Sequence, residues 1–128
     1  MNESGWPDAI DLLHLLAEST GHDSGVRDAG ILVAVATRPH VEMLGTVVYA
    51  TPLKRSAALL HGTVAWRPLH LWNSGLGWGA TFMTLARQGF DLDITPWQQM
   101  TITDEIMQGE LDDIDAVADR LAPFLRIR

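Results

Sequence analysis

Thr51-Pro52-Leu53-Lys54-Arg55-Ser56-Ala57-Ala58-Leu59-Leu60-His61-Gly62-Thr63-Val64-Ala65-Trp66 is the stretch from which the fold is read. Thr51 can accept a backbone N–H as an N-cap, and Pro52 suits the first helical position, where its missing N–H costs nothing. Leu53, Ala57, Leu60, His61 and Val64 then recur at helical spacing as far as Trp66. Ala57, Ala58 and Gly62 are small enough to let neighbours approach closely. These features predict a central helix with others packed around it.

Toward the N-terminus, Trp6-Pro7-Asp8 opens a helix whose broad apolar face is Ile10, Leu12, Leu13, Leu15, Leu16 and Ala17. Gly21-His22-Asp23-Ser24-Gly25 is expected to stop it. Arg27 to Thr37 reads as a second helix, with Ile31, Leu32, Val35 and Ala36 turned inward. Pro39 ends it, because the residue before a proline avoids helical backbone. Val41 to Tyr49 holds the strand formers Val41, Met43, Val47 and Val48 on either side of Gly45, which predicts a short hairpin leaning on the helices.

Toward the C-terminus, Arg67 to Trp72 is a loop broken by Pro68. Asn73 or Ser74 is expected to cap a fourth helix that runs to Gln88 and stops at Gly89. Thr95-Pro96 repeats the N-cap and proline device for a fifth helix to Gln108. After Gly109 a sixth is expected from Glu110 to Leu125, with Leu111, Ile114, Val117, Ala118 and Leu121 on one face. Its other face is Asp112, Asp113, Asp115 and Asp119, which reads first as a solvated surface. The whole is one all-α domain spanning residues 1–128, a bundle of about six helices with one hairpin.

Bulk properties narrow the function. The 128 residues suit one core, and the 47% hydrophobic and 20% charged fractions are those of a globular chain. The net charge of −7 opposes a nucleic-acid backbone and favours a basic protein partner. No apolar run approaches the roughly 20 residues that span a bilayer, so no membrane association is expected. Met1 to Asp8 lacks a basic n-region, and with no cysteine anywhere the expected location is the cytoplasm.

The order of several motifs resembles the death-on-curing (Doc) branch of the Fic/Doc, or Fido, family. Lys54 to Leu69 is similar to the helix and loop that enter that family's active site. The similarity continues through Asn73, Leu76-Gly77-Trp78 and Gln88-Gly89-Phe90-Asp91-Leu92. Upstream, Asp28 to Leu32 and Ala36-Thr37-Arg38-Pro39 resemble the family's second helix and the lead into its hairpin flap. The likeness spans about Asp8 to Asp93 and implies a Fic/Doc-like bundle.

The family signature runs histidine, proline, apolar, variable, acid, glycine, asparagine, small or basic, arginine. Pro68, Leu69 and Asn73 match it. Arg67 stands at the histidine, Leu71 at the acid, Trp72 at the glycine before the asparagine, Ser74 at the small or basic position and Gly75 at the arginine. The histidine of the family is a general base, and arginine stays protonated and cannot act as one. The acid holds a divalent cation, and Leu71 offers no oxygen. Gly75 cannot clamp a phosphate. The resemblance therefore implies a protein without the family's AMP-transfer or phosphotransfer mechanism, and with no metal site.

One feature of such a site survives side-chain loss, because a helix N-terminus binds anions through its backbone. Arg67, His70, Trp72, Asn73, Ser74 and Gly75 are the candidate anion or nucleotide pocket. An ordinary N-cap beside a surface arginine is the plainer account of the same residues. His70 is the nearest titratable group to the lost histidine position, with a water-exposed loop histidine as its plainer account. Trp72 is expected to fill or cover the pocket, while Trp66 and Trp78 suit packing. His61 is expected to be partly buried and hydrogen-bonded, and His14, His22 and His40 lack metal-ligand spacing. The spacing Gly75-Leu76-Gly77-Trp78-Gly79 lacks the preceding strand of a dinucleotide fingerprint, so it is read as close helix packing.

Two functions follow from different classes. One is a non-catalytic Fic/Doc-fold protein that binds a nucleotide or a protein, in a toxin–antitoxin setting or as regulator of an active paralogue. The other is a diverged enzyme that runs different chemistry in a rebuilt pocket. Retained transferase activity ranks below both. No cofactor other than a nucleotide is implied, and an exposed tryptophan loop would suit a homo-oligomer.

Overall fold

The computed structural model describes residues 6–20 and 25–128. Its six α-helices are α1 (Ala9–Thr20), α2 (Ala29–Thr37), α3 (Pro52–Trp66), α4 (Asn73–Arg87), α5 (Pro96–Met107) and α6 (Ile114–Leu121). Residues 1–5 and the predicted turn at Gly21-His22-Asp23-Ser24 lie outside the described residues.

The predicted centre is α3. Thr51 accepts from the Lys54 N–H and Pro52 opens the helix. Every residue from Ser56 to Val64 is buried, as expected of a helix surrounded by others. Ala57, Ala58, Leu60 and Val64 face a core built from α4, α5 and α6, with Ile102, Ile106, Val117 and Leu121. Leu59 faces a second core made with α1 and α2, where it meets Trp6, Leu12, Leu16, Leu32 and Val35. A Cβ added at Gly77 of α4 would lie 3.3 Å from both Leu60 and Thr63, so these two helices cross where glycine allows it. Gly75 meets nothing within 4 Å, so the close-packing reading of this glycine run does not extend to it.

Caps decide where the other helices begin. Asp8 and Asp11 each accept the other's backbone N–H at the start of α1. Asp28 accepts from Ile31, so α2 starts at Ala29 and not at Arg27. Thr95 and Gln98 form a reciprocal capping box on α5.

The hairpin is present and minimal: β1 (Glu42–Met43) pairs with β2 (Thr46–Val47) around a turn in which Leu44 and Gly45 both have positive φ. The strands are largely exposed, and it is their flanks that lean on the helices. Arg55 of α3 donates to the Tyr49 carbonyl, and Tyr49 packs on the core.

The predicted sixth helix is too long at both ends. Asp113 is extended and its carboxylate takes the Ala116 N–H, so α6 starts at Ile114. Pro123 has no N–H to continue the ladder, and Ala122–Phe124 is a 3₁₀ turn. Leu125–Ile127 is then a strand, β4, antiparallel to β3 (Phe90–Leu92). This second strand pair joins the end of α4 to the chain's last residues. Among the described residues the fold is dominated by helices, with two short antiparallel strand pairs.

Candidate functional site

The loop between α3 and α4 is held by chain far away in sequence. Arg27 donates from Nε to the Arg67 carbonyl at 2.6 Å and from a terminal nitrogen to the Trp66 carbonyl at 2.8 Å. The Arg27 and Asp28 N–H groups both donate to Pro68, and Val26 bridges Leu69. The last carbonyls of α3, which no helical N–H can reach, therefore find a cation, the favourable partner at a helix C-terminus. Nothing in the spacing around Arg27 announces this role, since its partners lie about forty positions on.

The two ends of the loop are left-handed. Arg67 has φ 51° and Trp72 has φ 72°, conformations that cost a side-chain-bearing residue about 1–2 kcal/mol each. Between them Leu69 is fully buried and anchors the loop in the second core. The Asn73 side chain does not cap α4. Its Oδ1 accepts from the Leu69 N–H at 3.0 Å and its Nδ2 donates to the Leu69 carbonyl at 2.9 Å. Trp72 occupies the N-cap position and supplies no side-chain bond. The expected cap by Asn73 or Ser74 is thus absent, and the first turn of α4 is left with its N–H groups uncapped.

Arg67, His70, Trp72, Asn73, Ser74 and Gly75 all line one cleft of about 290 Å³, together with Val64, Leu71 and Met107. Among the described residues no carboxylate lines it, in a chain with a net charge of −7. The Arg67 guanidinium has no acidic partner among the described residues. The His70 ring lies beside Gly25, and its backbone N–H donates to the Gly25 carbonyl. Trp72 remains 52% exposed and lines the cleft, so of the two expectations, a ring that fills the pocket or one that covers it, the first does not hold. Met107 of α5, for which the sequence offers no signal, also lines the cleft.

A second cleft of about 430 Å³ adjoins the first and shares Val64, Arg67 and Met107. His61, Trp66, Ile106 and Asp112 also line it. His61 is 6% exposed and its Nδ1 accepts from Arg38 at 2.9 Å, so its buried, hydrogen-bonded state follows the sequence reading. Burial and the Arg38 charge lower its pKa below 6.5, against a smaller upward pull from Asp112 and Asp113. Trp78 is core, with its indole N–H on Thr103 Oγ1, whereas Trp66 is at the surface under the Arg38 guanidinium. His14 is exposed, His40 stands edge-on to Trp6, and His22 lies outside the described residues.

Among the described residues no three His, Asp or Glu side chains gather as a metal-binding group, and no helix is long and apolar enough to cross a membrane. The chemistry on offer at the first cleft is one fixed positive charge, one imidazole, an aromatic face and a helix N-terminus. The fixed charge and the helix N-terminus favour an anion there. No family model matches the chain, and no curated protein matches it.

Proposed function

We propose that the chain is a Doc-like Fic-fold protein that has lost the family's transfer chemistry and binds a phosphate-bearing ligand, a nucleotide, at the start of α4. The observation that carries this reading is the uncapped N-terminus of α4, open to a cleft beside Arg67 that no carboxylate of the described residues lines. Unsatisfied N–H groups and the helix dipole favour negative charge there. The backbone at Trp72 supports the resemblance from an independent direction. Trp72 stands where the family signature has glycine, and its φ of 72° is a conformation that glycine adopts without penalty.

Titration calorimetry with ATP and AMP, with and without magnesium, tests the reading. The expected result is magnesium-independent binding that weakens roughly tenfold or more in Arg67→Ala, the loss of one charge-assisted contact. Magnesium-dependent binding of ATP would overturn the loss of metal chemistry. Absence of binding to either nucleotide would retire the anion site and leave a protein partner as the ligand.

The open state of the cleft favours one second reading. Trp72 does not plug it, and His70 lines it, so a diverged enzyme with an imidazole general base has room for a substrate. Turnover abolished by His70→Gln, with ligand affinity unchanged, would select this reading over simple binding.

A further inference from the structure

Arg38, His61 and Trp66 form a cluster that the cleft chemistry does not use. Arg38 lies in the 3₁₀ turn Arg38–His40, directly ahead of the hairpin. Its NH1 donates to His61 Nδ1 of α3 at 2.9 Å, and its guanidinium lies 4.5 Å from the centre of the Trp66 ring. His61 meets the same ring edge-on at 6.3 Å between centroids. The turn carries the hairpin with it, because the Val41 N–H donates to the Arg38 carbonyl and the Val48 N–H to Val41. Arg38 also lines a third cleft of about 470 Å³ with Val48, Tyr49, Lys54, Asp112 and Asp113.

An arginine can only donate, so this bond requires a bare Nδ1 and places the imidazole proton on Nε2. Protonation removes the acceptor and sets two cations against each other. We propose that Arg38, His61 and Trp66 are a pH-sensitive latch that holds the base of the β1–β2 hairpin against α3 and opens when His61 takes up a proton.

The surroundings of His61 give the freed arginine a destination. Asp112 and Asp113, on the segment ahead of α6, face His61 and share the third cleft with Arg38. Arg67, at the end of the same helix, lines the 430 Å³ cleft with His61. Helices α2, α4 and α5 add no charge that shifts His61. Asp115, which also lines the third cleft, is engaged by Lys54 at 3.2 Å. An acidified molecule therefore trades an arginine–histidine–tryptophan contact for an arginine–carboxylate one, and the hairpin base moves with Arg38. The latch does not depend on what the neighbouring clefts bind.

NMR of the full chain tests it, reading the His61 ring and the exchange protection of the Val41 and Val48 amides in one pH series. The expected result is an Nε2–H tautomer at neutral pH and a midpoint below 6.5. Protection at Val41 and Val48, corrected for intrinsic exchange, should fall about tenfold with that midpoint while amides within α3 hold. In His61→Gln the protection should no longer follow pH. Arg38→Gln should leave the hairpin amides weakly protected at every pH, which keeps the test open if the His61 variant does not fold. Unchanged protection through the His61 titration, or full protection in Arg38→Gln, would overturn the proposal.

Discussion

Asn73 holds Leu69 by both of its backbone groups, accepting its N–H at 3.0 Å and donating to its carbonyl at 2.9 Å. One amide thus closes the loop from Leu69 to Asn73, and it fixes the direction in which α4 leaves the loop. Substitution Asn73→Ala should cost about 1–2 kcal/mol, the worth of two such bonds at a half-buried position. Asn73→Asp keeps the acceptor and should retain part of that stability. Urea unfolding of the three proteins checks this. A loss in Asn73→Ala within the scatter of surface substitutions would show that buried Leu69 and the bonds from Arg27 and Asp28 hold the loop without the amide.

The left-handed backbone at Trp72 makes its replacement unusual. Elsewhere glycine is less favourable than alanine, because it adds freedom to the unfolded chain. At φ 72° the order reverses, since alanine keeps the steric penalty that glycine avoids. Trp72→Gly should therefore be more stable than Trp72→Ala by about 1 kcal/mol. Thermal unfolding decides, and equal stability of the two variants would mean that the loop relaxes out of the left-handed region.

Trp78 carries a single polar atom into the core, and Thr103 receives it at 2.8 Å. Both residues are buried, so Thr103→Val keeps the shape and orphans the indole N–H. The expected cost is about 1–3 kcal/mol, with Thr103→Ser recovering most of it. Denaturation midpoints that rank valine at or above serine would contradict the bond's importance.

How much of this was legible follows the range of the interactions. Thr51-Pro52, Thr95-Pro96 and the apolar spacing of α3 act within a few residues, and the elements they predict are where they should be. Leu125–Ile127 pairs with Phe90–Leu92 across more than thirty residues, and Pro123 is the sole local sign that the sixth helix must end. Most of the cleft residues were recognisable because they fall between Arg67 and Gly75, the stretch set against the family signature, whereas Met107 comes from α5. Their geometry was not: the reach of Arg27 to Arg67, and the diversion of Asn73 from capping, depend on how a distant segment lies against the loop. Sequence also suggested that Trp72 fills or covers the pocket, because it puts a large ring where the family signature has glycine. In the structure the ring lines the cleft and stays half exposed.

Stability should depend on pH through His61 with a definite sign. Its folded pKa is lowered, first by burial and then by Arg38, and His40 shifts the same way through burial and Arg55. For each, the unfolded chain binds a proton more readily than the folded one, so stability rises with pH across the interval between the two values. The contribution is complete above the unfolded value of 6.5 and shrinks as pH falls below it toward the folded pKa. Carboxylates contribute their own slope at lower pH, so the comparison must be made against a variant. Urea midpoints measured from mildly alkaline to mildly acid pH should fall more steeply in the native protein than in His61→Gln, with the two curves parallel above about pH 7. Parallel curves throughout would show that His61 keeps its solution proton affinity in the fold, and a shallower native curve would reverse the sign and place a net attraction where burial and Arg38 now oppose the charge.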